Sequence, residues 1–254
     1  MPIRHTEAIV LRTYRVGEAD KVVVFLTRQL GKLQGLAKGA RRPRSRFGGS
    51  LEISTELELT FFEKESRELV SVDRCDIIRS GFQSSRDPIL ACTLAYFADL
   101  VDSFAPEREP NAKLYRLLRA CTNSLTGGSE TTRVTPYFEA WVLRLGGFYP
   151  TADSCSACGE KLERQGAHYV LEEHRLRCAR CARKSPDGLS MSPATLRYLR
   201  QIWQGPPNEL PAPEQDGIFT ELARLHRKLI AQQLDKDLNS LRVLDDLIRL
   251  EKKR

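Results

Sequence analysis

Apolar positions alternate through the first third of the chain and then recur at helical spacing. Residues 5 to 80 hold five runs rich in β-branched residues: "AIVLRTYRV", "KVVVFLTRQ", "KLQGLAKGA", "LEISTELELTFFEK" and "LVSVDRCDIIR". In the fourth, Leu51, Ile53, Leu57, Leu59 and Phe61 share one parity while Glu52, Glu56 and Glu58 share the other. That alternation predicts a strand with one wet face. The breaks "RVGEAD" and "RQLGK" carry the glycine and charge of hairpin loops. Five short strands with no helix-length segment between them predict a small closed barrel. An OB-type barrel is the leading form because such barrels commonly bind single strands; the pattern leaves an SH3-like barrel open.

Helical spacing begins at Asp87-Pro88, a good N-cap followed by a good first helical residue. Leu90, Leu94, Phe97, Leu100, Val101 and Phe104 form the first stripe. Asn111 opens a second helix burying Leu114, Leu117, Leu118, Cys121 and Leu125, and Gly127-Gly128 closes it. A third runs from about Val134 to Leu145 before Gly146-Gly147. Ser192-Pro193 opens a fourth, "GPPNELPAP" is a loop, and "GIFTELARLHRKLIAQQL" and "LRVLDDLIRL" complete the set. The stripes read as core. The expected organisation is a multidomain α+β fold. An N-terminal OB-type barrel (1–82) precedes an α-helical domain (83–150 and 191–254) interrupted by a cysteine segment (151–190).

Charge sharpens the picture. The chain of 254 residues carries a formal +7, which favours a polyanionic partner. The excess is local. Residues 1 to 50 hold eleven Lys/Arg against three acids, and residues 51 to 80 hold four against eight. Between Lys38 and Arg46, in "KGARRPRSRFGG", five cations occur without an acid. With glycines at both ends and little apolar to bury, this stretch reads as a flexible loop. It can be a merely solvated loop, but so unbalanced a run suits a phosphate backbone better. The candidate nucleic-acid contacts are Lys38, Arg41, Arg42, Arg44 and Arg46, extended by Arg12, Arg15, Lys21 and Lys32 if they share the face. Phe25 and Phe61 look core-facing, which leaves Tyr14 and Phe47 as the best residues for stacking bases. Binding is expected to rest mostly on phosphate charge and to tolerate many sequences.

Cysteine use points to one metal site. Of seven thiols, Cys75, Cys92 and Cys121 lie singly in apolar segments and read as inert core residues. Cys155-x-x-Cys158 and Cys178-x-x-Cys181 have the spacing of a zinc ribbon or finger. Four sulfurs complete a tetrahedral Zn²⁺ and leave no position for water, so one structural zinc is expected rather than a catalytic one; an Fe–S cluster or a redox dithiol are the alternatives. His168 and His174 are rival ligands by position. Lys161, Arg164, Arg175, Arg177, Arg180, Arg183 and Lys184 surround the pairs and can offset thiolate charge or touch DNA. No phosphate loop, H-E-x-x-H or G-x-S-x-G motif occurs, so no enzyme is expected. No apolar run is long enough to span a membrane, and the N-terminus lacks a signal-peptide pattern; a cytoplasmic protein is expected.

Three segments carry a resemblance: "EAIVLRTYRVGEADKVVVFLT", "GKLQGLAKGARRPRSRFGGSLE" and "FEAWVLRLGGFYPTADSCSACG". They resemble the RecO family of bacterial recombination mediators, with "AKGARRPRSRFGG" the most specific part. The resemblance implies an N-terminal OB-fold, a helical domain, and binding to single- and double-stranded DNA. It also implies strand annealing without ATP, work with RecR in loading recombinase onto strands coated by single-strand binding protein (SSB), and a nucleoid-associated location. Family members engage the acidic C-terminal tail of SSB. Here Arg116, Arg119, Arg197, Arg200, Arg224, Arg227 and Lys228 on the helices are the cations such a tail requires. Family members differ in the cysteine segment, which supports a structural role for its metal. A zinc-containing RNA-binding or transcription factor, or a zinc hydrolase, would be the other classes.

Overall fold

The structure of the chain, a computed structural model, describes residues 2–63, 68–81, 87–150, 152–183, 188–234 and 238–251. Lys184 and the expected junctions at 82–83 and 151 lie outside these residues. Strands β1 (Ile3–Val16), β2 (Asp20–Thr27), β3 (Gly31–Ala37), β4 (Glu56–Phe62) and β5 (Val70–Arg79) form a closed barrel in the order β1-β2-β3-β5-β4. Only β3 and β5 pair in parallel; the other pairs are antiparallel. This is the OB-like barrel the alternation predicts. Strand β1 closes it by serving two neighbours. Its first half pairs with β4 and its second with β2, and the register shifts between Val10 and Arg12, where a bulge lets one strand turn the corner.

Val10, Val23, Phe25, Leu57, Leu59, Phe61 and Val72 fill the barrel. Gly35 of β3 faces the same interior. A Cβ there would sit 2.6 Å from Val72 Cγ2, so glycine is what lets β3 and β5 come together. The fourth run departs from its expected form. It begins as a strand only at Glu56, because residues 50–54 form turns and a bend. Ile53 is exposed, and Glu56, expected on the wet face, is buried. Arg119 Nε approaches its carboxylate at 2.6 Å and Arg79 Nε at 4.0 Å. Alternation reports two faces of a strand but not that a helix covers one end of the outer face; a buried carboxylate then needs a cation.

The helices are α1 (Pro88–Phe104), α2 (Ala112–Thr126), α3 (Thr131–Leu145), α4 (Ala179–Ala182), α5 (Pro193–Gln204), α6 (Ile218–Gln233) and α7 (Asn239–Glu251). The short strands β6 (Ala167–Val170), β7 (Arg175–Arg177) and β8 (Leu189–Met191) form a sheet in the order β7-β6-β8. Asp87 caps α1 by accepting from the amides of Ile89 (2.9 Å) and Leu90 (3.1 Å), a contact type that contributes about 1 kcal/mol. Asn111 caps α2 through Leu114 N–H at 3.0 Å. Helix α3 starts three residues ahead of its expected beginning at Val134.

The chain forms two compact units, residues 1–131 with 238–254, and residues 132–237. The first holds the barrel, α1, α2 and α7. Ser240 Oγ of α7 donates to Asp99 Oδ2 of α1 at 2.6 Å. The second unit holds α3, the cysteine segment, α5 and α6. Its core contains a hydrogen-bonded chain in which His226, fully buried, lies between Tyr149 Oη (3.1 Å from Nε2) and Glu139 Oε2 (3.0 Å from Nδ1). Trp141 Nε1 donates to Ile202 O at 3.1 Å, joining α3 to α5.

Candidate nucleic-acid interface and metal centre

The basic stretch is a ladder of turns rather than a flexible loop. Backbone amides reach back three residues from Arg42 to Gly39 (3.1 Å), Ser45 to Arg42 (3.0 Å), Gly48 to Ser45 (3.3 Å) and Ser50 to Phe47 (2.9 Å). Phe47 and Leu51 are buried in the barrel core and hold the ladder from beneath. Its other anchor is the β1–β2 hairpin. Arg41 N–H donates to Ala19 O at 2.9 Å, and its guanidinium donates to Gly17 O (3.2 Å) and Glu18 O (3.0 Å). Asp20 Oδ1 accepts from Gly39 N–H at 2.7 Å. Ladder and hairpin therefore form one surface.

The expected contacts divide on that surface. Lys38, Arg41, Arg42, Arg44 and Arg46 are all exposed. Arg46 lies 4.9 Å over the Phe47 ring and donates to Val72 O at 3.3 Å. Arg15 and Lys21 are direct partners across the β1–β2 ladder. Like charges placed opposite each other are unfavourable unless an anion joins them. Among the described residues none of these seven cations forms an ion pair with an acid.

Arg12 and Lys32 lie elsewhere. The Arg12 guanidinium is bonded to Asp99 and lies 3.4 Å from Asp102 Oδ2. Burial works against its charge, but the Tyr14 hydroxyl and the two carboxylates outweigh it and raise its pKa. Lys32 is buried, with Nζ donating to Asp102 O at 2.6 Å and lying 3.4 Å from Glu107 Oε1. Both fasten the barrel to α1 and the segment after it. Of the two stacking candidates, Phe47 is 3% exposed and unavailable to a base, whereas Tyr14 is 45% exposed. Phe47 sits in a stretch with no apolar periodicity, and only the closed barrel reveals the hole it fills.

The four cysteines converge. Their sulfurs lie within 4.8 Å of one another, with Cys158 and Cys178 3.8 Å apart. A tetrahedral ion with sulfur bonds of about 2.3 Å sets its ligands about 3.8 Å apart, so the cluster fits one metal ion. Each pair sits on a tight turn. Gly159 N–H donates to Cys155 O at 2.9 Å with Gly159 at φ 74°, a conformation that favours glycine. Cys178 opens α4, and Cys181 N–H donates to Cys178 O at 3.0 Å. Burial opposes ionisation of Cys155, but amides of Cys178, Ala157 and Cys158 aimed at its sulfur bring its pKa down to about 6. That favours the thiolate a metal takes. The rival ligands are occupied elsewhere: His168 Nδ1 lies 3.0 Å from Ser190 Oγ and His174 Nδ1 3.2 Å from Tyr169 Oη. Four protein sulfurs leave no open position. The single thiols behave differently, since burial pushes Cys75 up to about 12 and Cys121 well above its ordinary value.

Cations around the cluster are partly matched. Arg180 lies 3.5 Å from Glu160 Oε2, and Arg177 donates to Glu173 at 2.6 Å. Among the helix cations expected to meet an acidic tail, Arg119, Arg197 and Arg200 are paired with Glu56, Glu214 and Glu163.

Comparison with known proteins agrees along nearly the whole chain. The family model "Recombination protein O N terminal" matches residues 1–81, and "Recombination protein O C terminal" matches residues 86–242. The DNA repair protein RecO of Koribacter versatilis (strain Ellin345) is 34% identical over 246 residues, covering 96% of this chain and 99% of the relative. That of Syntrophus aciditrophicus (strain SB) is 32% identical over 256 residues, covering 96% of each. That of Anaeromyxobacter sp. (strain K) is 33% identical over 199 residues, covering 78% of each.

Proposed function

The chain belongs to the recombination protein O (RecO) family, which places it in DNA repair and recombination, and on that premise we propose that it is a mediator that holds DNA by its phosphates and anneals complementary strands. The observation that carries this reading is the unmatched cationic surface of the hairpin and turn ladder: Arg15, Lys21, Lys38, Arg41, Arg42, Arg44 and Arg46. Phosphates would relieve the Arg15–Lys21 repulsion and take the place of missing acids. A grip on backbone leaves base edges free to find their complement, on single strands and duplexes alike. The protein does this without turnover. It works with RecR to load recombinase onto SSB-coated strands, and its helical region engages the acidic SSB tail with modest, salt-sensitive affinity. Zinc is the ion that four thiolates in a closed tetrahedron suit, and it serves the fold of the cysteine segment.

The test is a strand-annealing assay with purified protein, with and without SSB. Annealing should be accelerated, and should persist on SSB-coated strands only while SSB keeps its tail. Equal affinity for RNA and DNA with no annealing would overturn the reading and point to an RNA-binding factor.

A further inference from the structure

The four cysteine sulfurs converge on one point, but the four residues are not equally covered. Cys155 and Cys178 are buried, Cys181 is half-buried and Cys158 is exposed. The difference follows from the turns. Cys155 is drawn inward because its amide donates to Glu160 O at 2.8 Å and the next amide, that of Ser156, donates to Leu176 O of β7 at 3.0 Å. Cys178 directly follows β7 and opens α4. Cys158 stands at the far end of the first turn. Beside its sulfur lies the guanidinium of Arg180, which hydrogen-bonds to it and is itself 74% exposed. Cys158 thus meets water beside a solvated cation rather than under packed apolar side chains. The single thiols are better covered, with Cys121 buried and Cys75 and Cys92 half-buried.

We propose that Cys158 is an oxidation site at which hydrogen peroxide opens the metal centre, with Cys178 as the resolving thiolate. The inference rests on the zinc reading above and adds to it the chemistry by which that site is undone. A thiolate held on zinc needs no base to ionise it and keeps lone pairs, and four of them on one divalent ion carry excess negative charge. Nucleophilic character is shared by all four, so access selects among them. The Cys158 sulfur attacks one peroxide oxygen. The S–O bond forms, the O–O bond breaks, and hydroxide leaves to take a proton from solvent. The Cys158 and Cys178 sulfurs lie 3.8 Å apart, which places the Cys178 thiolate to attack the sulfenic sulfur. The S–S bond then forms and a second hydroxide departs. The two thiolates give up two electrons, and the peroxide ends as water. Cys155 and Cys181 remain as two ligands, too few to retain the ion. Because metal-binding energy is folding energy in such a site, the consequence falls on the cysteine segment and spares the barrel.

The experiment uses the full chain purified without chelator. Its zinc is counted by elemental analysis, and the chain is then treated with hydrogen peroxide while a chromogenic chelator reports release. Dimedone present during treatment traps the sulfenic acid, and peptide mass spectrometry maps it. About one zinc per chain should be lost. Dimedone should mark Cys158, and without dimedone a Cys158–Cys178 disulfide should form. Dithiothreitol with added zinc should reverse the loss. Cys158→His, which offers a nitrogen ligand in place of the thiolate, should keep its zinc through the same treatment. Dimedone found first on another cysteine, or equal release from Cys158→His, would overturn the oxidation site. Should Cys158→His fail to take up zinc, the dimedone map of the wild-type chain decides alone. The two readings separate before and after the oxidant: a purified chain without zinc sinks the metal assignment itself, whereas zinc that peroxide does not release sinks only the oxidation.

Discussion

The turn ladder of the barrel and the cysteine segment look alike as sequence, since each sets basic residues among tight turns. They differ in what balances the charge. Between Lys38 and Arg46 five cations meet no acid, whereas residues 151–190 hold seven Lys/Arg and six Asp/Glu. In the cysteine segment Arg180 and Arg177 lie beside Glu160 and Glu173, and the pKa of Arg180 is raised by the sulfur of Cys158 first and by Glu160 after it. Four thiolates on a divalent ion add two negative charges. On the proposed reading the charges of the cysteine segment are largely balanced within it, whereas the exposed cations of the ladder have no acid beside them among the described residues and are left for a partner. A count of lysines and arginines does not separate the two cases; the acids within reach do.

The largest expected effect removes the metal. Cys155→Ser should abolish stoichiometric zinc in elemental analysis, and residues 153–183 should lose amide protection, because apparent binding energies of about 10–16 kcal/mol become folding energy in structural zinc sites. Barrel amides should stay protected and DNA affinity unchanged. A barrel that unfolds with the cysteine segment would break the separation between the regions.

The next effect concerns the open surface. Replacing Arg41, Arg42 and Arg44 together by Ala should flatten the dependence of log K on log salt by about 2 for a single strand, at about 0.7 per lost phosphate contact. All sequences should weaken alike. The matched control sharpens the comparison: Arg164, Arg175 and Arg183 replaced by Ala should leave the slope as it is. An equal flattening by both triple variants would show that the cysteine segment is open after all.

The smallest effect lies within the barrel unit. Hydrogen bonds from Arg4 (2.6 Å) and Arg108 (2.5 Å) hold the Glu63 carboxyl below its ordinary pKa. A depressed pKa stabilises the fold above the unfolded value of about 4.3 and is lost as pH falls through the lower folded value. Urea midpoints should therefore decline from about pH 5 downwards, and Glu63→Gln should make that decline shallower. Identical pH profiles for both proteins would show that these bonds contribute nothing net.

Much of this molecule is legible without coordinates, because its signals are local. The five strands follow from runs rich in β-branched residues and their breaks from glycine and charge, although the fourth strand begins only at Glu56, and the starts of α1, α2 and α5 follow from Asp87, Asn111 and Ser192. The metal site follows from the spacing of Cys155, Cys158, Cys178 and Cys181, since each pair is closed by one turn of backbone. What only the tertiary structure decided is which groups are already satisfied across long separations. Lys32 and Arg12 resemble the other cations until α1 brings Asp99 and Asp102 to them. Glu56 resembles Glu58 until Arg119 arrives from α2. Phe47 resembles an exposed ring until the barrel closes around it, and Tyr14 gains its neighbours Val22 and Leu36 only through strand register. The physical reason is range. Periodicity, caps and tight turns act within a few residues of chain, whereas burial and charge pairing depend on whatever folding brings near, however distant in sequence.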